Sequence, residues 1–465
     1  MNDPVEVIGG GLAGCECAYQ LAERGVPVRL WEMRPRRTTP AHKTGDLAEL
    51  VCSNSLRSDD PHHAAGLLKR EMEALGSLII AAARASAVPA GSALAVDRHR
   101  FASRITETLT SHPLIQIERR EKTELPTGDA VIATGPLTSP DMSRALTELL
   151  GSEHLYFYDS IAPIVDSESL DESKLFAASR YDKGEGDDYL NAPFDREQYL
   201  AFHRAIVEAE VSPLHDFEQT LFFEGCLPIE ELARRGVDTL RFGPMKPVGL
   251  RTPDGSRPHA VVQFRREDLA RSQYNLVGFQ SRMKWGEQKR VFRMIPGLEN
   301  ARFTRLGQVH RNTFLNSPIH LNRFYRLKTR PRIRIAGQIT GVEGYLESAA
   351  TGLAAGLYLS LERAGVSASA LPVATALGAL ARHLTESNPA RFQPANINYG
   401  LFPELGPELG PELDPEFKRR SKRHQRRQAL AERARDALLA WCRDHRVEVV
   451  QPQPAKDGKV LTCAS

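Results

Sequence analysis

The sequence predicts an α/β fold in which a Rossmann-like domain with a parallel sheet is interrupted by an inserted α+β domain. Three observations support this prediction. A glycine-rich turn, Gly9–Gly14, follows a strand-like segment close to the start of the chain. A second strand-like segment runs into another glycine turn much later, at residues 332–341. The chain has 465 residues, which is enough for two or three domains.

The first elements alternate between strand and helix. The β-branched run Val5–Ile8 predicts a strand, and Cys15–Arg24 predicts a helix. Val26–Trp31 predicts a second strand, with Glu32 at its end. Further on, Asp60-Pro61 predicts a helix start, with aspartate as the cap and proline in the first helical position. The first three elements have the order of a β-α-β unit.

The glycine turn has the spacing of a dinucleotide-binding motif. Gly9 permits the tight turn, Gly11 lets the backbone approach a pyrophosphate, and Gly14 lets the helix pack closely on the strand. A carboxylate at position 32 can accept hydrogen bonds from a ribose. The predicted cofactor-binding residues of this unit are Gly9, Gly10, Gly11, Leu12, Ala13, Gly14 and Glu32.

Two later segments favour FAD over NAD as the cofactor. Asp129–Thr134 predicts a buried strand that runs into a glycine turn, and Arg332–Ala336 predicts another. The helix Glu347–Glu362, rich in small residues, follows the second turn. A domain that binds only NAD seldom needs such a distant returning segment, so we expect a glutathione-reductase-like FAD-binding domain. The additional predicted cofactor-binding residues are Gly135, Gly337 and Gln338.

The domain boundaries follow from this arrangement. We expect residues 1–163 and 327–402 to form the two segments of the FAD-binding domain, and residues 164–326 to form the inserted domain. Residues 403–416 repeat Pro-Glu-Leu with glycine or aspartate and predict a spacer, because proline in each unit opposes a regular helix. Residues 417–465 predict a basic C-terminal helix and tail.

Composition excludes several classes of protein. The net charge is +3, so only local clusters of charge point to nucleic acid. Six irregularly spaced cysteines do not form a disulfide framework. No secretory signal and no apolar run of membrane-spanning length is visible, and no metal-binding motif occurs. We therefore expect a cytoplasmic protein that binds no metal and no membrane.

Two basic clusters are candidate RNA-binding surfaces. Between Arg282 and Arg334 there are 14 Lys or Arg residues and two acidic residues in 53 positions, with aromatic residues between them. Basic and aromatic side chains together suit RNA, although a solvated face balanced by acidic neighbours has the same composition. Lys418–Arg427 has seven basic residues in ten positions and is interpreted as a solvated helix that is also able to brace an RNA backbone.

Two cysteines lie in polar or turn-like surroundings. Cys52 is followed by Ser53 and Asn54, and Cys226 lies between a glycine and a leucine–proline pair. From these surroundings alone, a structural role is the favoured interpretation for both. Cys15 and Cys17 are two apart on a helix and therefore point to different faces, which predicts small buried thiols and no metal pair.

Several motifs together resemble one family. The motifs are G-G-G-L-A-G-C-E-C-A, P-A-H-K-T, A-E-L-V-C-S-N-S-L-R, A-G-L-L-K-R-E-M, F-E-G-C-L-P-I-E, G-P-M-K-P-V-G-L and A-G-Q-I-T-G-V-E-G-Y-L-E-S-A-A-T-G. With these motifs the chain resembles the folate- and FAD-dependent tRNA (uracil-5-)-methyltransferases over about Val5–Leu401. The related flavoprotein that modifies wobble uridine with a partner GTPase shares one glycine turn but has a much longer chain.

The resemblance implies a reaction and its residues. Methylenetetrahydrofolate would donate one carbon, NADPH or NADH would reduce FAD, and the T-loop uridine of tRNA, position 54, would accept a methyl group at carbon 5. The family motifs place the two catalytic cysteines at Cys226, as the thiolate nucleophile, and Cys52, as the proton acceptor or flavin-side partner. The order of these two roles stays open. Further expected substrate or flavin contacts are His42, Lys43, Arg282, Lys284 and Tyr345.

Three other functions remain open from the sequence. The first is the wobble-uridine modification carried out by the related flavoprotein. The second is an RNA-binding flavoprotein whose FAD has only a structural role, and the third is a flavin oxidoreductase that acts on a small molecule. Methyl transfer to tRNA would distinguish a methyltransferase from all three.

Overall fold

A computed structural model describes most of the chain. The described residues are 3–39, 41–151, 155–160, 162–182, 188–212, 227–307, 309–405 and 419–450. Cys226 lies outside them, as do residues 406–416 of the predicted spacer.

The strands belong to four sheets. The five-stranded sheet has the order β16-β7-β1-β2-β6 and is parallel throughout. In chain order the strands are β1 Val5–Ile8, β2 Val28–Trp31, β3 Ser55–Ser58, β4 Ala87–Val88, β5 Ala93–Val96, β6 Ile115–Glu118, β7 Ala130–Ile132, β8 Leu155–Ser160, β9 Ile164–Asp166, β10 Phe176–Ala177, β11 Tyr189–Phe194, β12 Ala260–Arg266, β13 Gln273–Leu276, β14 Phe303–Arg305, β15 Val309–Phe314 and β16 Ile333–Ile335.

Helices cover the parallel sheet, which confirms the predicted Rossmann-like α/β fold. In chain order they are α1 Leu12–Ala22, α2 Ala64–Ala74, α3 Leu78–Ala85, α4 Arg98–Ser111, α5 Pro140–Leu150, α6 Arg196–Glu208, α7 Ile229–Arg234, α8 Thr239–Phe242, α9 Trp285–Phe292, α10 Ser317–His320, α11 Tyr345–Arg363, α12 Ala376–Glu386 and α13 Arg419–Asp444.

The glycine turn folds more tightly than its sequence suggests. Helix α1 begins at Leu12, three residues before the predicted Cys15, so Gly14 already lies in its first turn. A Cβ atom on Gly14 would lie 1.8 Å from the carbonyl oxygen of Gly9. Gly9 itself has a φ of +109°, which favours glycine. The early helix start is possible because both positions have bare backbone.

Helix α11 packs closely against α1. A Cβ atom on Gly352 would lie 2.1 Å from the carbonyl oxygen of Ala13, and one on Gly356 would lie 2.8 Å from that of Cys17. The helix begins at Tyr345, two residues before the predicted Glu347. Its small residues therefore bring the turn after β16 next to the first glycine turn.

Other predicted bounds also differ from the structure. Helix α2 begins at Ala64 and not at Pro61. The Asp60 carboxylate accepts a hydrogen bond from the His62 backbone N–H, 2.9 Å long, and so caps a preceding turn. Strand β2 begins at Val28 because the Val26 backbone N–H is held in a turn by the Leu21 carbonyl.

A second, antiparallel sheet follows in the chain. It has six strands in the order β10-β11-β12-β13-β9-β14. Every residue of β12 is buried. The core beside this sheet contains a group of aromatic side chains: Phe194, Tyr199, Phe202, Phe264, Phe279 and Phe292. The boundaries of the inserted domain stay a prediction.

The C-terminal helix α13 docks by an apolar stripe. Leu430, Ala434, Leu438 and Trp441 are each at most 3% exposed and recur at helical spacing. They join the core that surrounds α1 and α11. The basic half of the helix precedes this stripe.

We predict that Gly352→Ala destabilises the protein. The added methyl group meets the backbone of Ala13 and forces α11 away from α1, and overpacking of this kind costs about 1–3 kcal/mol. Gly286→Ala is the matched control, since Gly286 also lies in a helix and no atom lies within 4 Å of the position that a Cβ would take there. Thermal unfolding should show a lower midpoint for Gly352→Ala only. Equal midpoints for both variants would contradict this packing.

Candidate dinucleotide and thiol site

A cleft of about 1020 Å³ lies at the carboxyl ends of the parallel strands. Ligands of open α/β sheets bind at this edge. Gly14 does not line the cleft, because it packs beneath the turn against Gly9. The predicted cofactor-binding residues that do line it are Gly9, Gly10, Gly11, Leu12, Ala13, Glu32, Gly135, Gly337 and Gln338.

The first turn of α1 is built to receive an anion. Gly11 is the cap residue and supplies no side-chain hydrogen bond. No atom lies within 4 Å of the position that a Cβ would take on Gly11. Backbone N–H groups at a helix N-terminus carry partial positive charge and lack helical partners. A phosphate group entering the cleft can therefore approach this backbone closely.

The Glu32 carboxylate stabilises the glycine turn through hydrogen bonds. It accepts hydrogen bonds from the Gly10 backbone N–H at 2.9 Å and from the Arg34 backbone N–H and side chain at 2.9 to 3.1 Å. Burial raises the pKa of Glu32, but the Arg34 guanidinium outweighs it and the net pKa is lowered. Both carboxylate oxygens already accept two hydrogen bonds each. A ribose hydroxyl therefore reaches Glu32 only by replacing one of these donors.

The same end of the cleft holds cations that sequence reasoning missed. Arg34 is 2% exposed and also pairs with Glu49 at 3.1 Å. Arg120 and Lys122 lie over the Trp31 ring, at 4.7 and 5.0 Å from its centroid. Arg34, Arg120 and Lys122 belong to no sequence motif that would predict a binding site. The one indication in the sequence is that Arg34 lies two residues after Glu32.

The lining of the cleft also adjoins a thiol. Val51 and Tyr345 line the cleft, and the Cys52 backbone N–H donates a hydrogen bond to the Tyr345 hydroxyl, 2.5 Å long. Cys52 is partly exposed. By contrast, Cys15 and Cys17 are fully buried, and burial raises the pKa of each thiol well above its usual value. Among the described cysteines, Cys52 is the one that is not buried.

The other expected contacts divide into two groups. His42 and Tyr345 line the cleft. Lys43, Arg282 and Lys284 do not. Arg282 pairs with Glu231 at 2.5 Å and Lys284 with Glu210 at 2.6 Å, so acidic residues near the second sheet already hold both cations.

The larger basic cluster is mostly paired. Among the residues that the structure describes, eight of its cations form ion pairs with carboxylates, as a balanced solvated face would. They are Arg282, Lys284, Arg290, Arg302, Arg323, Arg326, Arg332 and Arg334.

The terminal helix lines a second cavity. Its volume is about 1180 Å³, and it lies between α13 and the start of α2. Arg57, Arg426 and Arg427 line it. Arg57 pairs with the buried Glu347 at 2.6 Å. Arg426 and Arg427 form no ion pair with any residue that the structure describes.

Two kinds of feature were not found in the described part of the chain. No group of three or more histidine, cysteine, aspartate or glutamate residues there is arranged to hold a metal ion. No helix within the same ranges combines the length and the apolar character of a membrane span.

Comparison with known proteins decides the family. A family model described as glucose inhibited division protein A matches residues 4–367. A methylenetetrahydrofolate–tRNA-(uracil-5-)-methyltransferase TrmFO of Moorella thermoacetica is 57% identical over 407 residues, which is 87% of this chain and 93% of the relative. The TrmFO of Pelobacter propionicus is 52% identical over 462 residues, 99% of this chain and 98% of the relative. The chain belongs to the TrmFO family.

Solved structures agree with the fold of this TrmFO-family chain. GidA of Aquifex aeolicus, in its form II crystal, has a TM-score of 0.65 and 17% identity, and the match covers 94% of this chain and 73% of that one. The form I crystal gives the same TM-score with 16% identity, over 96% and 77% of the two chains. These neighbours support the fold alone.

We predict that Gly11→Val abolishes binding of a dinucleotide such as FAD and leaves the fold intact. The side chain enters the open cleft and displaces a phosphate from the start of α1, while no protein atom obstructs it. Gly128→Val is the control, because Gly128 also has open space around it but does not line the cleft. Bound flavin, measured by absorbance after gel filtration, should fall at least about tenfold in Gly11→Val. Normal flavin content in this variant would refute the site.

Proposed function

We propose that this protein uses methylenetetrahydrofolate, FAD and NADPH or NADH to methylate carbon 5 of the T-loop uridine of tRNA, position 54, giving ribothymidine. One observation carries the proposal: the glycine turn lines a cleft that Val51 and Tyr345 also line, and both of these residues adjoin Cys52. The relatives at 52–57% identity are named as tRNA (uracil-5-)-methyltransferases, which supports the same reaction class.

The cleft fits FAD on its own geometry. Gly11 faces open space, and the first turn of α1 lacks a side-chain cap. Arg120 and Lys122 line the same cleft as Glu32. We infer that Gly9–Ala13 hold the pyrophosphate and that Gly337, Gln338 and Tyr345 border the ring system. When bound there, FAD supplies the redox and one-carbon-carrier chemistry between folate and uracil.

The two cysteines perform the chemistry on the uracil. Carbon 5 of uracil is a poor nucleophile until a thiolate adds to carbon 6 and makes an enolate, and dividing the step in this way lowers its barrier. We assign the thiolate to Cys226. After the carbon–carbon bond forms, the proton on carbon 5 must be removed and the bond between the transferred carbon and its donor must break. A hydride that originates from NADPH or NADH would then complete the methyl group, and elimination releases the thiolate from carbon 6. We assign proton removal to Cys52, which borders the cleft.

The target uridine must leave its stacked loop to reach these groups. Val51 and Tyr345 line the cleft and adjoin Cys52, so we infer that the flipped base enters beside these residues and meets Cys52 there. From this choice of substrate we also infer a cytoplasmic location, where tRNA is found.

The decisive experiment is a reaction with defined components. Purified protein is incubated with FAD, NADPH, methylenetetrahydrofolate carrying a labelled methylene carbon, and unmodified tRNA transcript, followed by nucleoside analysis. We expect labelled ribothymidine at position 54. Label at a wobble uridine would favour the related function in wobble-uridine modification, and flavin turnover that ignores tRNA would favour a small-molecule oxidoreductase.

We predict that Cys52→Ala and Cys226→Ala each lower the rate of methyl transfer at least about a hundredfold with FAD still bound. Each removes a thiol that forms or breaks a bond to the base or its proton, while neither thiol is needed to hold the pyrophosphate. Cys442→Ala is the control, because Cys442 is buried in α13, and burial raises its pKa to about 11. Single-turnover kinetics measures the rates. A wild-type rate in either variant would show that the replaced cysteine takes no part in the reaction.

We predict that replacing Arg426 and Arg427 with alanine weakens tRNA binding. Both cations lack a carboxylate partner among the described residues and are available to phosphates. The slope of log affinity against log salt should become shallower by about 1 to 2. Arg290→Ala is the matched control from the larger basic cluster, since Arg290 pairs with Glu287 at 2.6 Å. Equal salt slopes for the double variant and wild type would contradict a role for α13.

A further inference from the structure

The loop that carries Cys52 is held by buried and partly buried arginines from other elements. Arg98, at the start of α4, donates hydrogen bonds to the Leu50 carbonyl at 2.5 Å and to the Cys52 carbonyl at 2.7 Å. Arg305, at the end of β14, donates to the Val51 carbonyl at 2.5 Å. Three successive carbonyl oxygens of the loop therefore each receive a guanidinium.

The following two residues are held in the same way. Arg265, on β12, donates to the Ser53 hydroxyl and to the Asn54 side-chain oxygen, both at 2.8 Å. The Asn54 amide in turn donates to the backbone carbonyls of Val96 and Arg266. Residues 50–54 are thus fixed between the first domain segment and the antiparallel sheet.

This network brings more positive than negative charge to the thiol. Arg98 forms a close ion pair with Glu267, whose side chain is 4% exposed, while the Arg98 side chain is 14% exposed. Burial lowers the pKa of Arg98, but the Glu267 carboxylate outweighs it and the net pKa is raised, with the Tyr345 and Cys52 groups acting in the same direction. Arg265 and Arg305 also interact electrostatically with Cys52.

Hydrogen bonds to carbonyl groups do not neutralise a guanidinium. Arg98, Arg265 and Arg305 supply three positive charges, and among the charged groups that these interactions identify around Cys52, Glu267 supplies the one carboxylate. Tyr345 approaches from α11 and stays neutral, because burial raises its pKa. Positive charge close to a thiol favours its thiolate form.

We propose that Arg98 is a positioning residue of the reaction. Its two donors fix the Cys52 loop at the edge of the cleft, and its charge, with those of Arg265 and Arg305, favours the thiolate form of Cys52. The Arg98–Glu267 pair couples the thiol to the antiparallel sheet, because Glu267 follows directly on β12. This inference rests on the proposed role of Cys52 in methyl transfer.

The test measures Cys52 itself as well as turnover. FAD-loaded protein is treated with iodoacetamide between about pH 6 and 10, and the rate of alkylation is read from the mass of the Cys52 peptide. Arg98→Gln with Glu267→Gln removes the pair without leaving a buried charge. We expect the midpoint of the alkylation profile to rise by about one pH unit. We also expect kcat to fall at least about tenfold with an unchanged KM for tRNA.

Arg98→Lys separates geometry from charge. A lysine keeps the positive charge but has no fork to hold the Leu50 and Cys52 carbonyls together. We expect its alkylation midpoint to stay within about 0.3 units of wild type and kcat to fall at least about fivefold. Arg334→Lys is the matched control, since Arg334 is also a buried arginine paired with a glutamate, at 2.5 Å from Glu362, and does not touch this loop. It should match wild type in both measurements.

The outcomes are distinct. An unchanged midpoint and an unchanged kcat in the double variant, with FAD bound, would overturn the inference. If the double variant does not bind FAD, the test depends on Arg98→Lys instead. A wild-type kcat in Arg98→Lys would then overturn the inference. If wild type shows no methyl transfer but the double variant still shifts the midpoint, the proposed function fails while the effect of Arg98 on the thiol stands.

Discussion

The candidate site depends on a contact between bare backbones. Gly14 lies against the Gly9 carbonyl, and Gly352 lies against the Ala13 carbonyl, so α1, its glycine turn and α11 approach more closely than side chains would permit. Glu32 then fixes the turn through the Gly10 N–H. Without this close approach, the start of α1 and the turn after β16 would not border the same cleft. A bound dinucleotide would then contact only one of these two segments.

The lining of the cleft is of two chemical kinds. Beside Glu32, the side chains of Arg34, Arg120 and Lys122 gather positive charge. Val51 and Tyr345 line the same cleft and adjoin Cys52. A cofactor bound in the cleft can therefore be held by the cations and also lie close to the thiol. The arginines behind Cys52 come partly from the antiparallel sheet, which gives that sheet a role in the site in addition to its own core.

The fold was predictable where it depends on local backbone requirements, and less so where it depends on distant contacts. The strand, glycine turn and helix at residues 5–22 could be placed because glycine spacing reflects steric limits that apply in every protein of this kind. The predicted starts of α1 and α2 were each wrong by three residues, since α1 begins early through Gly14 packing against Gly9, and Asp60 caps a turn before α2. The arginine network could not be predicted at all, because Arg98, Arg265 and Arg305 span more than 200 positions of the chain and meet only through the fold. The roles of Cys52 and Cys226 came from the family resemblance and remain predictions.

The most direct test of this account is a crystal structure of the protein with FAD bound. The measurement is the position of the isoalloxazine ring relative to the lining residues of the cleft. The account predicts van der Waals contact, about 4 Å, between the ring and the group Val51, Cys52 and Tyr345, with the pyrophosphate at Gly11. A ring bound against Arg120 and Lys122, or FAD bound outside this cleft, would contradict it.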